Sequence, residues 1–429
     1  MPLQFHIDQP SDWSQPASRC VIIRGWCFTT NGEPVAGIRL RAADRILTGV
    51  VGLPRPDVKA KLPAATGEKT GFEIRGTLPS GRIDLTIEAR LADDTWEAVM
   101  QRTVRIKWPL LPRWLGGGEW TELMFFQMPA HMAYPARPIR PEKFPGPGRP
   151  EDRPKFSIVT PSYQQARFLP ETMRSILEQL GVTCQYVVRD GGSTDGSAAL
   201  IEQAAKKYGP SSPLPPQASR LIAWTCGPDR GQADAIATGF AQTSGGPDDL
   251  MAWLNSDDFY LPGTLAFVAD YFVRHPEVDV LYGNRIVIDE ESREIARWFL
   301  PAHDEAVLRL NDFVPQETLF WRRRIWDRVG GLDRSFKFAV DWDLLLRFTA
   351  AGARIVHVPW FLACFRSHAA QKTAAVMHST GQQEITLLRE RTQGRPYPAR
   401  ELEQNPVLLR YLRRSAFIQF LWRLGWRTA

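Results

Sequence analysis

From Phe156 onward, short apolar runs alternate with longer segments of helical period, and this rhythm restricts the fold more than any other feature of the chain. Phe156-Ser157-Ile158-Val159-Thr160 is apolar and strand-sized. The segment after it puts Phe168, Leu169, Met173, Ile176, Leu177 and Leu180 on one face at helical spacing. Gln185 to Arg189 then reads as strand, Asp195 to Tyr208 as helix, Leu221 to Trp224 as strand, Gln232 to Gln242 as helix and Leu250 to Leu254 as strand. Alternation of this kind predicts an α/β domain with a mostly parallel sheet covered by helices. Ligands of such sheets bind outside the carboxyl ends of the strands.

Four polar loops fall at those ends. They are Thr160-Pro161-Ser162-Tyr163, the run Asp190-Gly191-Gly192-Ser193-Thr194-Asp195-Gly196, then Gly227-Pro228-Asp229-Arg230-Gly231-Gln232, and Asn255-Ser256-Asp257-Asp258. Each taken singly reads as a helix cap or a tight turn. Taken together at one sheet edge they make a site. Glycines let backbone N–H groups approach a ligand. Asp190 is suited to accept a hydrogen bond from a base or ribose, and Tyr163 to stack on a base. Asp257 and Asp258 repel each other unless a proton or cation joins them, and a hard divalent ion such as Mg²⁺ or Mn²⁺ suits oxygen ligands and a diphosphate alike.

The remaining chain divides by composition. Residues 1–110 read as a small β-sandwich: Arg82 to Arg90 alternates strictly, with Ile83, Leu85, Ile87 and Ala89 on one face. Residues 111–154 are a linker rich in Pro, Gly and Trp, whose Trp114, Trp120, Phe125 and Phe126 suggest docking on a surface. The α/β domain takes residues 155–390, and 391–429 read as basic amphipathic helices broken at Pro406. In the last segment Leu408, Leu412, Phe417, Leu421 and Trp422 interleave with Arg410, Arg413, Arg414, Arg423 and Arg427. Two readings fit: a helix lying on an anionic membrane, or one packed on the domain with its arginines in water. A second Arg-rich stretch, around 319–328, is a candidate basic patch for a phosphorylated substrate or an anionic surface. No interleaved basic-aromatic motif marks a nucleic-acid-binding unit. Five scattered cysteines without a Cys-x-x-Cys pair favour reduced, buried thiols and a cytoplasmic protein. The first residues lack the pattern of a signal peptide, and no apolar run is long enough to span a bilayer.

Residues from about 155 to 375 resemble a family 2 glycosyltransferase. The matching stretches are Ser157 to Tyr163, Asp190 to Ser197, Asn255-Ser256-Asp257-Asp258, Gly330-Gly331-Leu332-Asp333 and Asp341-Trp342-Asp343-Leu344-Leu345-Leu346-Arg347. The resemblance implies the GT-A fold, a nucleotide-diphospho-sugar transferase-like mixed sheet with flanking helices. The all-β region ahead of it is similar to accessory modules of some bacterial glycosyltransferases. The resemblance further implies that Thr160, Pro161 and Tyr163 line the nucleotide pocket with Ser256, that Asp190 contacts the base, and that Asp229 and Arg230 form a third donor loop. The family's metal motif is Asp-x-Asp; here Asn255 holds its first position, Asp257 is retained and Asp258 stands beside it. Arg366-Ser367-His368 resembles a later segment whose His completes the metal or diphosphate site, so Asp257, Asp258 and His368 are the implied metal residues. Asp341 occupies the position of the catalytic base, which takes the proton of the acceptor hydroxyl. Asp343 is expected to cap the helix that follows. The family often has Glu before the base; Val340 stands here, which removes one acidic neighbour that would raise the pKa of Asp341. Gln316-Glu317-Thr318 is expected on the acceptor side.

The expected function is therefore inverting, divalent-cation-dependent transfer from a nucleotide-sugar donor to a glycan or lipid-linked acceptor in bacterial surface polysaccharide synthesis. The expected location is cytoplasmic; peripheral contact to the inner face of the membrane through the C-terminus is one of the two readings of that segment. Two alternatives stand beside it: a nucleotidyltransferase on a similar fold, and an inactive glycan-binding scaffold.

Overall fold

The computed structural model describes residues 3–9, 20–29, 35–42, 45–55, 58–59, 62, 69–78, 81–106, 134–141, 143–145, 153–215, 218–368 and 380–423. The chain divides into two compact units, Met1–Gly116 with Pro129–His131 and Gly117–Met128 with Met132–Ala429. Trp114, Trp120, Phe125 and Phe126 lie outside the described residues.

In the first unit seven strands, β1 (Leu3–Gln9), β2 (Cys20–Thr29), β3 (Gly37–Ala42), β4 (Arg45–Leu53), β5 (Gly71–Thr77), β6 (Gly81–Arg90) and β7 (Trp96–Ile106), run in the order β1-β2-β5-β4-β3-β6-β7. Every pairing is antiparallel. The alternation read in β6 is the burial pattern: Ile83, Leu85, Ile87 and Ala89 face a core shared with Ile23, Ile38, Leu40, Phe72 and Ile74. Thus strands from both halves of the sheet bury one common face, as a sandwich requires.

The second unit carries the α/β sheet. Its strands are β8 (Phe156–Ser162), β9 (Cys184–Asp190), β10 (Arg220–Cys226), β11 (Leu250–Trp253), β12 (Phe259–Tyr260), β13 (Val280–Ile288), β14 (Glu294–Trp298), β15 (Phe320–Arg322) and β16 (Ile355–Arg366). They run in the order β10-β9-β8-β11-β15-β13-β16-β12, with β14 beside β13. The first four are parallel to one another, and β15 pairs antiparallel to both β11 and β13. The helices are α1 (Leu169–Leu177), α2 (Ser197–Tyr208), α3 (Gln232–Phe240), α4 (Thr264–Arg274), α5 (Glu305–Leu308), α6 (Arg323–Val329), α7 (Val340–Ala350), α8 (Gln382–Gln393), α9 (Ala399–Gln404) and α10 (Pro406–Arg423). A short 3-10 turn spans Gln316–Thr318.

Every residue of β8 is buried, which is why it reads as a continuous apolar run rather than an alternating one. Leu180 departs from expectation: α1 ends at Leu177, and Leu180 is 85% exposed. Helical spacing carried the apolar stripe one turn past the helix. The arginines near 319–328 also depart from it. Arg322 donates to the carbonyls of Val278 and Phe272, Arg323 to Ser157 and Thr243, and Arg324 to Asp279 and Asp248. They stitch β15 and α6 to neighbouring loops and form no basic patch. Of the linker, Tyr134 and Arg137 bond to the backbone of Ile295 and Glu294, and Phe144 stacks on Phe267 at 4.8 Å. The thiols of Cys27, Cys184 and Cys364 are buried as expected, whereas Cys226 is exposed. No described helix is long and apolar enough to cross a membrane.

α3 lies close against β8 because Gly239 has no side chain: a Cβ there would meet Val159 Cγ1 at 2.5 Å and Cγ2 at 3.0 Å. Replacing glycine by alanine inside a helix gains up to about 1 kcal/mol of propensity, but forcing a methyl against a fully buried strand residue costs about 1–3 kcal/mol. The contact therefore wins. Gly239→Ala is expected to lower the urea midpoint at unchanged slope, and a midpoint equal to or above wild type would show that α3 moves off β8 without cost.

Candidate active site

The parallel strands end as the sequence required, and hydrogen bonds join their loops. Gly191 N–H donates to the carbonyl of Ser162 at 2.8 Å, and Gly227 N–H to that of Asp190 at 3.0 Å. Asp190, 2% exposed, accepts from the N–H groups of Gly192 and Ser193 and from the Ser193 hydroxyl, and the Cys226 thiol donates to it at 3.1 Å. Its carboxylate thus organises the glycine loop. Asp195 does the same at the loop's far end, accepting from Ala166 N–H at 2.8 Å and from Ser197 N–H and hydroxyl. Burial raises its pKa, but these hydrogen bonds outweigh burial and hold it below the ordinary value.

Thr160 is fully buried and accepts a hydrogen bond from Tyr186 at 2.8 Å, and Pro161 is buried with it. Tyr163 is 63% exposed. A Cβ on Gly191 would meet Tyr163 at 3.3 Å and Asp229 Oδ2 at 3.1 Å, so this glycine is where the first three loops converge. Asp229 accepts from Gly231 N–H at 2.8 Å, and the Arg230 carbonyl accepts from Lys337 at 2.9 Å. Arg230 itself is exposed.

The fourth loop separates its two carboxylates. Asp257 Oδ2 meets His368 Nε2 at 2.9 Å, with side chains 16% and 4% exposed. Asp258 is 1% exposed and accepts from the backbone N–H of Arg366 at 2.9 Å. Burial first, then the charges of Asp257 and Glu317, push its carboxyl well above the usual range. Ser256 is buried, and its carbonyl accepts from Thr172 at 2.9 Å. Asn255 joins two further elements: Gln232 donates to it at 2.8 Å, and it donates to Gln316 at 3.2 Å. One carboxylate oxygen and one imidazole nitrogen in contact fit a divalent cation whose remaining ligands come from a diphosphate and water. Among the described residues no group of three or more His, Cys, Asp or Glu could hold such an ion alone.

Asp341 lies in the first turn of α7, half-buried, with its carboxylate accepting from Trp342 N–H at 3.0 Å. Burial raises its pKa to about 6, against the lowering by that bond and by Arg285, with Glu317 adding to the rise. Val340 does remove an adjacent acid, yet acids arrive from other elements. Asp312, 5% exposed, feels Asp341, and after burial that charge is the largest cause of its own raised pKa. Glu317 takes a two-pronged bond from Arg285 at 2.7 and 2.6 Å. Asp312 sits outside any motif, so only the fold could reveal it.

Asp343 is not the helix cap. Its carboxylate, 1% exposed, takes Arg347 at 2.8 Å and Arg391 at 2.7 Å. The N–H groups of Lys337, Phe338 and Ala339 at the helix start are met by Glu384 of α8. An acceptor for the turn ahead of the helix, supplied from 45 residues away, leaves no local signal.

Residues 157–331 match the family model described as glycosyl transferase family 2. The chain carries a family 2 glycosyltransferase domain. The matched residues form a glycosyltransferase domain, and the mixed sheet with its flanking helices is the arrangement that the resemblance implies. The domain is 30% identical over 208 residues to the O-antigen biosynthesis protein RfbC of Myxococcus xanthus, covering 48% of this chain and 15% of that protein. It is 28% identical over 195 residues to the PGL/p-HBAD biosynthesis glycosyltransferase of Mycobacterium bovis, covering 45% of this chain and 69% of that one. A solved mannosyltransferase from Pyrobaculum calidifontis, in complex with GDP-Man and Mn²⁺, aligns at 16% identity and a TM-score of 0.42 over 65% of this chain and 74% of its own.

The glycosyltransferase domain makes Asp258 testable by pH. A carboxyl whose folded pKa lies above its unfolded value adds stability below the unfolded pKa, and loses it as pH rises through the folded one. In protein stripped of divalent cations, Asp258→Asn should therefore gain on wild type as pH rises from about 4. Thermal unfolding against pH measures this; parallel curves for the two proteins would mean that Asp258 is not held neutral by burial.

Proposed function

We propose that the domain is an inverting glycosyltransferase that moves a sugar from a nucleotide-sugar donor to a hydroxyl of a glycan or lipid-linked acceptor. The observation that carries this reading is geometric: Asn255 donates to Gln316 at 3.2 Å, so the loop bearing the Asp257–His368 contact is bonded to the turn that carries Glu317, whose charge also acts on Asp341.

In this reading Tyr163, Asp229 and the glycine loop fixed by Asp190 bind the nucleotide, over the floor made by Thr160 and Pro161. Arg230 and Ser256 complete the donor side. Asp257 and His368 would hold Mg²⁺ or Mn²⁺, and Asp258 supports their loop from within. When bound, the cation supplies positive charge to the departing diphosphate. Asp341 takes the proton of the acceptor hydroxyl as its oxygen attacks the anomeric carbon, and the bond from that carbon to the diphosphate breaks on the opposite face. A pKa of about 6 suits this task, because the base is mostly ionised at neutral pH and still holds the proton well. Arg285 and Glu317, paired with each other, act on Asp341 through their charges, the first lowering and the second raising its pKa. The relatives named for O-antigen and PGL/p-HBAD biosynthesis support an acceptor in bacterial surface-glycan assembly. The chain spans a small part of the former, so pathway and cytoplasmic location belong to this proposal.

Asp341→Asn keeps the shape and removes the proton acceptor. It should retain donor and Mn²⁺ binding by calorimetry and lose transfer at least about a hundredfold. For wild type the acid limb of kcat/KM should fall near pH 6, since protonation of the base stops the reaction. Asp257→Ala should instead lose the dependence of donor binding on Mn²⁺. Near-normal turnover of Asp341→Asn would exclude it as the base, and unchanged Mn²⁺ dependence in Asp257→Ala would exclude the metal assignment.

A further inference from the structure

α10 has two used faces, and the fold accounts for only one. Successive residues of a helix turn by about 100°, so Leu408, Tyr411, Leu412, Ser415 and Gln419 share one side, and all five are buried. Ser415 donates to the Phe299 carbonyl at 2.7 Å, and the Tyr411 ring lies 4.7 Å from that of Phe313, the neighbour of Asp312. The reading in which this helix packs on the domain therefore holds for its inner face. On the opposite side stand Arg410, Arg413, Arg414, Phe417 and Phe420, all exposed. Phe417 is 55% exposed and Phe420 49%, on a helix that has already buried its apolar stripe.

The charge of this face is one-sided. From Pro406 to Ala429 the chain has five arginines and no acidic residue. Among the described residues Arg410, Arg413 and Arg414 form no ion pair, unlike Arg322 and Arg324, which are tied into the fold. Solvation alone accounts for the arginines but not for two phenylalanines set in line with them. A cationic and aromatic helix face, with its backbone groups satisfied within the helix, suits the boundary between lipid headgroups and acyl chains: arginines meet anionic headgroups and phenylalanines enter the layer below. A second copy of the chain fits poorly, because a two-fold contact would set arginine against arginine.

We propose that this outer face of α10 docks on an anionic lipid surface. Because α10 also packs on Phe313 beside Asp312, docking would bring the acceptor side of the domain close to the membrane, where a lipid-linked sugar is found. The surface contact does not depend on the transfer chemistry proposed above, and vesicle binding tests it without turnover.

The full chain is sedimented with vesicles of phosphatidylcholine alone and of phosphatidylcholine with phosphatidylglycerol. The wild type should bind the anionic vesicles, bind the neutral ones much less, and release at high salt. Phe417→Ser with Phe420→Ser, and separately Arg413→Gln with Arg414→Gln, should each weaken binding at least about tenfold, with unfolding temperature and nucleotide binding unchanged. Equal binding to both vesicle types, or either double variant binding as wild type does, overturns the proposal. Displacement from vesicles by a short oligonucleotide that binds more tightly overturns it in favour of a nucleic-acid surface. The salt and lipid dependence of the wild type decides the matter even if a variant folds poorly.

Discussion

Arg366 closes β16 with 1% of its side chain exposed, and its guanidinium spans several segments of chain. It donates to the carbonyl of Asp257 at 2.8 Å, to that of Asp289 at 3.0 Å, to Ser292 at 3.0 Å and to the Glu171 carboxylate at 2.6 Å. Its own N–H holds Asp258. A buried guanidinium is tolerated only when its donors are matched this fully, since removing one partner of such a set costs several kcal/mol. The consequence is positional. Arg366 fixes the loop bearing Asp257 to the strand leading to His368, next to the β12–β16 pairing, and α1 is drawn in through Glu171. The contact between Asp257 and His368 follows from that clamp.

The site pairs this rigid cationic clamp with buried acids. Asp258, Asp312 and Asp341 all have raised pKa values, with desolvation as the first cause in each. Glu317 is paired: Arg285, itself 12% exposed, meets it with two bonds. Within a few residues the fold thus distinguishes acids that are paired, held under backbone or left near solvent. Functional sites use such separation of neighbouring carboxyls to assign distinct roles.

The sheet and its loops were legible because hydrophobic period reports burial directly. β8, buried on both faces, and β6, buried on one, give two different patterns, and both were visible in the residues. The donor loops were legible because glycines and aspartates at strand ends are local. Long-range partners were not. Arg322 and Arg324 read as a charged patch because sequence shows a cation but not the carbonyls and carboxylates that meet it. Asp343 read as a cap because an acid early in a helix is usually one; its partners Arg347 and Arg391, and Glu384, which holds the residues just ahead of the helix, belong to pairings that only folding creates. Asp312 had no motif at all, and its place beside Asp341 comes from the turn between α5 and the 3-10 segment.

The central claim is a single displacement at the anomeric carbon with Asp341 as the base. The configuration of the new glycosidic bond tests it most directly. Proton NMR of the glycoside formed from an α-linked nucleotide sugar should show a β linkage. An α-linked first product would mean that two displacements or a front-face attack take place, and would contradict the role assigned to Asp341.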